Sequence, residues 1–499
     1  MEITFETKNV RAFRECVHQI KRTQLSMEQV VPDISDDIGK LYSVQPSVLL
    51  KSKDLTTRGA SVTGELNIAL LYVNELGNKV FDLHITQGFA LDYDLPDPDP
   101  ELITQIKLFV SNVEARAVNP RKISVTVEVG GELTAFKLEE NTVSSAVSPG
   151  DAGKIFTRQD VAECTLINAV CEKTFVLNEQ YPFIGDKPAP ISLVSEKLDF
   201  RISEKQLIGS KVLIKGQVFV TVCYLSEQTD YPITADYSSP FSQLIDIGLE
   251  TMDNCSVKIE PTSIYFSLID TISGEKALDA EIHAVAQIVS RFRQEVNYLS
   301  DAYSVFYPSA LSFEGRTLEQ VDEEELMLEN EERIELPEDT EDVLCVLPGL
   351  GQWSCARGKA EATVLLDILY RNKEGSLTSA RRLLKVSAEG KAADVDVKEV
   401  RLRESSFRPE NNALRSRIKV ELLCERHGEM EIQNAVAITL SEEEPYDLTL
   451  FPSITAVRTD TESIWDLAKE YHSSCEKIKA LNQIEEPIQG KMLLIPKCL

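Results

Sequence analysis

The chain has 499 residues, 43% of them hydrophobic, and a formal net charge of −29. It is too long for one core and apolar enough to fold, so several domains of ~100–200 residues are expected. So acidic a surface repels phosphate backbones and anionic lipid, which argues against nucleic acid and membranes as partners.

The N-terminal stretch MEITFETKNVRAF carries Glu2 and Glu6 early and has no apolar h-region, so no secretory signal is read there and a cytoplasmic location is expected. Apolar runs such as Asn67 to Val73 fall far short of the ~18 residues of a membrane span. Helical spacing marks Val10 to Lys21 as a candidate helix, with Val161 to Glu172 as its counterpart.

One pattern then returns three times: Val62 to Tyr72 (VTGELNIALLY), Ile214 to Tyr224 (IKGQVFVTVCY) and Ala360 to Tyr370 (AEATVLLDILY). Apolar or small residues occupy alternate positions, which defines a strand with one buried face. Thr63, Glu65, Lys215, Gln217, Glu361 and Asp367 suit the wetter face. The closing tyrosines are separated by 152 and 146 residues, a spacing that fits tandem domains and not a solenoid. The flanks repeat too: Lys21 to Gln29 lies 151 residues before Glu172 to Gln180 and shares Thr, Glu and Gln with it. A second alternating strand follows in each copy, at Ile123 to Val129, Leu278 to Ala284 and Leu414 to Leu423. These signals predict a mainly β chain of three tandem domains, each a sandwich or small barrel, over residues 1–160, 161–316 and 343–440.

Between the second and third domains, residues 317–342 read as an acidic linker. Glu319 to Asp342 holds 13 acidic residues against Arg333 alone, a solvated spacer or an acidic docking segment, with a short helix at Leu326 to Leu328. A second linker, 441–453, leads to a module at 454–497. There a strand begins at Ala456, and Ser463 with Asp466 forms a capping box. Ile464, Leu467, Ala468 and Tyr471 follow at helical spacing. Ser473 with Glu476 opens a second helix bearing Ile478 and Leu481, which Asn482 closes in a left-handed conformation. Met492 to Pro496 returns as a strand, so the order is β-α-α-β.

This module resembles the LysM family in Val457, Ser463-Ile464-Trp465, Leu467-Ala468, Tyr471, Ile478, Leu481-Asn482, Ile484, Gly490 and Leu494-Ile495-Pro496. The resemblance implies a groove lined by Thr461, Glu462, Ser463 and Ile464 on one side and Leu481, Asn482, Gln483 and Ile484 on the other. The family's Gly-Asp-Thr is Thr461-Glu462-Ser463 here, which puts a side chain where sugars approach closely. Trp465 reads as a packing residue or a sugar platform. For a protein partner, Ile464, Ile484 and Ile488 are the candidate apolar anchors.

Ala115 to Val125 (ARAVNPRKISV) resembles the Asn-Pro-Arg-Lys turn of SPOCS domains, β modules of endospore coat proteins, and the strands Gly64 to Tyr72 and Gly216 to Tyr224 match the same family. In the third copy the glycine is Ala362 and the turn is missing. Locally, Asn119-Pro120 favours a turn, leaving Arg121 and Lys122 as turn residues or as a basic contact point.

SPOCS repeats with a LysM module are the layout of spore-coat morphogenetic proteins. The resemblance implies a non-enzymatic scaffold in the mother-cell cytoplasm at the forespore surface, docked through LysM on the coat ATPase SpoIVA. A binder of peptidoglycan or N-acetylglucosamine polymers is the alternative. Exposed β edges make oligomerisation a further expectation.

No catalytic residue, metal site or cofactor is expected. The histidines His18, His84, His283, His427 and His472 stand apart in sequence, and no HExxH, GxSxG or phosphate-cradling glycine loop occurs. Asp92, Asp94, Asp97 and Asp99 are broken by prolines and lack the EF-hand glycine. The ten cysteines contain no CxxC pair and read as reduced and mostly buried thiols, with Cys498 exposed.

Overall fold

The computed structural model describes residues 2–95, 101–147, 155–183, 187–272, 274–356, 358–392, 396–410, 413–459, 462–485 and 489–498. The chain is mainly β. After a short strand β1 (Glu2–Thr4), six strands form a first set: β2 (Glu6–Val30), β3 (Ile38–Thr56), β4 (Gly59–Asn74), β5 (Val80–Asp94), β6 (Ile103–Asn119) and β7 (Lys122–Ala146). A second set follows: β8 (Ile155–Pro182), β9 (Ser192–Ile208), β10 (Lys211–Leu225), β11 (Ile233–Asp246), β12 (Asn254–Asp270) and β13 (Lys276–Ser304). The third set is β14 (Ser309–Glu335), β15 (Thr340–Ala356), β16 (Gly358–Asn372), β17 (Leu377–Ala392), β18 (Asp396–Glu410) and β19 (Ala413–Leu440).

The three sets share one topology. Strands two, three and four form an antiparallel meander: β3-β4-β5, β9-β10-β11 and β15-β16-β17. The first strand pairs with the last, which pairs with the fifth: β2-β7-β6, β8-β13-β12 and β14-β19-β18. Each repeat packs its two sheets around its own core. The repeated strand is the middle of each meander, and Tyr72, Tyr224 and Tyr370 close it from the buried side. The Tyr72 hydroxyl donates to the Asp36 carbonyl at 2.9 Å and that of Tyr224 to the Pro188 carbonyl at 3.1 Å. Tyr72 and Tyr224 thus tie the loop entering their meander to the core.

The repeated glycine has a local cause. Gly64 lies opposite Phe89, and Gly216 opposite Phe241, in the neighbouring strand. The phenylalanine rings cover the positions a Cβ would take. In the third repeat the partner of Ala362 is Val386, which leaves room for the methyl group.

Faces read as wet from the sequence turn toward the pseudo-threefold centre. Leu71, Cys223 and Leu369, each just before a repeat tyrosine, meet in one buried cluster with Tyr42, Val73, Val194, Cys345 and Leu347. At the other end Gln287 of the second repeat exchanges two 2.8 Å bonds with the backbone of Ile106 in the first. Arg291 joins Glu323 and Glu425 of the third at 2.7 and 2.8 Å.

Two sequence expectations are corrected here. Val10 to Lys21 and Val161 to Glu172 are strand, within β2 and β8. Buried positions in β2 change from Val10 to Val17, an odd phase, across a register shift between Glu15 and Val17. A strand that switches faces at a bulge imitates helical spacing. The acidic stretch is also mostly strand, because Leu326, Leu328 and Ile334 alternate into the third core. Met327 points outward, and on that face Glu329 meets Lys419 and Glu331 meets Arg415 of β19, while Glu324, opposite the buried Cys424, meets Arg426.

The ten cysteines are free thiols. Cys498 is buried, against expectation, in the core of the C-terminal module, whereas Cys16 is exposed. Asp97 and Asp99 lie outside the described residues.

Candidate binding site

The C-terminal module pairs β20 (Ile454–Arg458) antiparallel with β21 (Met492–Pro496) and packs α1 (Ile464–Glu470) and α2 (Cys475–Asn482) against them. The β-α-α-β order is as read from the sequence. The Ser463 hydroxyl accepts from the Asp466 amide at 3.2 Å, and the Asp466 carboxylate accepts from the Ser463 amide at 3.1 Å, a complete capping box. The Ser463 hydroxyl, which donates to the Asp466 carboxylate at 2.7 Å, and the Ser463 amide together hold that carboxyl below the ordinary carboxylate range. The second cap is Ser474, not Ser473, and it lacks a reciprocal acid because the facing residue is Lys477. Ser473 is fully buried, and its hydroxyl donates to the Pro496 carbonyl.

The sequence-predicted groove residues are put to varied uses. Thr461 and Ile488 lie outside the described residues. Glu462 is exposed, and Ser463 caps α1. Ile464 is 3% exposed and belongs to the core with Leu467, Ala468, Ile478, Leu493 and Ile495, so it is not a surface anchor. As the first residue after the N-cap it is rolled under the helix by the capping geometry. Ile484 is half-buried against the same core, whereas Leu481 is exposed. The left-handed residue ending α2 is Gln483, with φ 54°, not Asn482. Asn482 instead zips onto β21: its Nδ2 donates to the Leu494 carbonyl at 2.6 Å and its Oδ1 accepts from the Leu494 amide at 2.8 Å. The two loops flanking the groove are joined directly, the Gly490 amide donating to the Thr459 carbonyl at 2.8 Å.

Trp465 faces the rest of the protein. Its Nε1 donates to the Asp301 carboxylate at 2.7 Å, and its ring meets Tyr303 edge-on at 4.9 Å. Lys469 adds a 2.8 Å ion pair to Asp301, and the Tyr303 hydroxyl donates to the Ser473 carbonyl at 2.8 Å. The module core is continuous with Tyr303, Val305, Phe156 and Phe306 of the second repeat. No sequence signal identified this dock, since its two sides lie 164 residues apart. Replacing Trp465 by alanine should weaken it by roughly 2 kcal/mol, about half the cost of truncating a fully buried tryptophan. Hydrogen exchange should then rise in both α1 and the end of β13 (Lys276–Ser304). Faster exchange in α1 alone would mean the dock does not hold the module.

The other motif, Asn119 to Lys122, is committed to structure. The Asn119 side chain accepts from the Arg121 amide at 2.9 Å. The Arg121 guanidinium donates to the carbonyls of Val31, Pro32 and Ser35 and pairs with Asp33 and Asp37 at 3.2 and 2.9 Å. Asp37 raises the Arg121 pKa above its ordinary value. Lys122 pairs with Glu28 at 2.5 Å. The turn therefore clamps the loop that Tyr72 also holds.

A second concave feature lies between the repeats, a cleft of about 2180 Å³. Small-molecule sites are typically ~300–1,000 Å³. Charges lining it pair across repeats: Lys107 with Glu399 at 3.5 Å, Arg403 with Asp199 at 3.6 Å. Lys197 donates to the Pro348 carbonyl at 2.5 Å. Among the described residues no group of three or more His, Cys, Asp and Glu could hold a metal ion, and no helix is long and apolar enough to cross a membrane.

Residues 191–269 match the family model described as SipL, SPOCS domain. The chain carries a SPOCS domain. The match spans β9 to β12 of the second repeat, the meander with the Gly216–Phe241 pair and the Tyr224 latch. The first and third repeats share the strand topology of this SPOCS unit. SPOCS is a sporulation-related domain, and the chain is accordingly read as a sporulation-related protein. No curated protein and no solved structure matches the chain.

Proposed function

We propose that this chain is a non-enzymatic scaffold of endospore coat assembly. In this reading it works in the mother-cell cytoplasm at the forespore surface and docks through its LysM-like module on the coat morphogenetic ATPase SpoIVA. The SPOCS domain supports the sporulation setting. The observation that carries the docking mode is the outer face of the paired β20 and β21 strands. Ile454, Met492 and Leu494 are exposed there, with Leu481 beside them. A contiguous apolar face rimmed by polar residues suits a protein partner better than a sugar polymer. The polar groups that would bind sugar are committed elsewhere, Asn482 to β21 and Ser463 to its helix cap.

The test offers the purified full chain to the immobilised ATPase and, separately, to purified peptidoglycan. Replacing Met492 and Leu494 by glutamate should lower retention on the ATPase at least tenfold, a loss of ~1.4 kcal/mol or more, with circular dichroism unchanged. Pelleting with peptidoglycan without retention by the ATPase would overturn the reading in favour of glycan binding.

A further inference from the structure

The strand β1 has no counterpart in the other repeats. The strands β8 and β14 begin by pairing with the last strand of their own repeat, Ile155 opposite Ser304 and Ser309 opposite Leu440. In contrast, β1 crosses to the third repeat, with Glu2, Ile3 and Thr4 opposite Thr439, Ile438 and Ala437 of β19. The Phe5 amide adds a 3.1 Å bond to the Val436 carbonyl. Ile3 and Phe5 are buried, in a cluster with Ala435, Ile438 and Leu440 of the third repeat and Leu299 and Ala302 of the second. Chain continuity links repeat one to two and two to three. This strand adds a backbone-paired link from the third repeat back to the first, beside the side-chain contacts of the central cluster and the Lys107–Glu399 pair.

We propose that the edge of β19 over residues 435–440 is a strand-acceptor groove, filled within one chain by its own β1 and able to take the β1 of a second copy. The occupant is set by the groove. It needs an extended segment with apolar side chains two residues apart, and Ile3-Thr4-Phe5 supplies them. Three paired residues are a small contact, so the clasp is held by the high effective concentration of a tethered strand. A crowded surface supplies a comparable concentration from neighbours. The contact joins the third repeat of one chain to the first of the next, a heterologous interface that propagates instead of closing.

A disulfide-locked clasp tests this in the full chain. Thr4 and Ala437 oppose each other beside the hydrogen-bonded Phe5–Val436 pair, so they form the closer, non-hydrogen-bonded kind of pair suited to a disulfide. The lock is Thr4→Cys with Ala437→Cys, in a Cys16→Ser background to remove the exposed thiol. Light scattering should show the oxidised chain monomeric at every concentration, and the reduced chain associating as it approaches the ~mM range. A second arm uses a fluorescent peptide of residues 1–8. The full chain with Ile3→Asp and Phe5→Asp, whose own strand no longer seats, should bind it, and the oxidised locked chain should not. Equal association of the locked and reduced chains overturns the proposal, as does a folded double variant that ignores the peptide. Should the double variant unfold, the locked and reduced comparison decides alone.

Discussion

Replacing Arg291 by leucine is expected to destabilise the protein by about 3–5 kcal/mol, the cost of breaking a buried ion pair from one side. Arg291 is 3% exposed and bonds Glu323 at 2.7 Å, Glu425 at 2.8 Å and the Ser256 hydroxyl at 3.0 Å. Leucine would fill much of the volume but leave two carboxylates buried together without a cation. The penalty is therefore mostly that of the orphaned charges. Combining Arg291→Leu with Glu323→Gln and Glu425→Gln should recover at least half of it. Urea unfolding followed by the fluorescence of Trp353, in the third repeat, would measure both variants. A single variant within 1 kcal/mol of the parent would show that the triad does not hold the second repeat to the third.

The repeated glycine gives the second large effect. Gly216→Ala should cost roughly 2–3 kcal/mol, the upper part of the range for overpacking. A Cβ there would stand 2.2 Å from the Arg201 carbonyl oxygen, and a backbone group in a paired strand cannot step aside. Gly64→Ala should cost less, roughly 1 kcal/mol, because its Cβ meets the Phe89 ring tip at 2.4 Å and a side chain can shift. Adding Phe89→Val to Gly64→Ala reproduces the Ala362–Val386 pair of the third repeat and should restore most of the loss. Hydrogen exchange of the amides in the β4 (Gly59–Asn74) and β10 (Lys211–Leu225) strands would rank the variants. Equal costs at the two glycines would refute the distinction between carbonyl and ring.

The fold was legible where local pattern decides it. Period-two alternation located the three middle strands and the three final strands, because a half-buried strand must alternate whatever it pairs with. The capping box at Ser463 and Asp466 was legible for the same reason, since both partners lie within one helical turn. The candidate site was less so. Ile464 and Ile484 looked like anchors and proved to be packed, because one helix periodicity serves a core face and a docking face alike. Trp465 looked open to either role until Asp301 and Tyr303 arrived from the second repeat.

By itself the sequence determined the mainly β class, the threefold repeat, the tyrosine of each middle strand, the glycine of the first two and the β-α-α-β module. These are carried by residues that act within a strand, a turn or a capped helix. The tertiary structure alone decided that Val10 to Lys21 is strand and not helix, and that the acidic stretch is a strand whose carboxylates face cations of β19 (Ala413–Leu440). It also decided that the wet face of each repeat closes on Leu71, Cys223 and Leu369, and that the N-terminal strand belongs to the third repeat. Each of these depends on a partner more than eighty residues away or on another repeat, and no local pattern records which partner arrives.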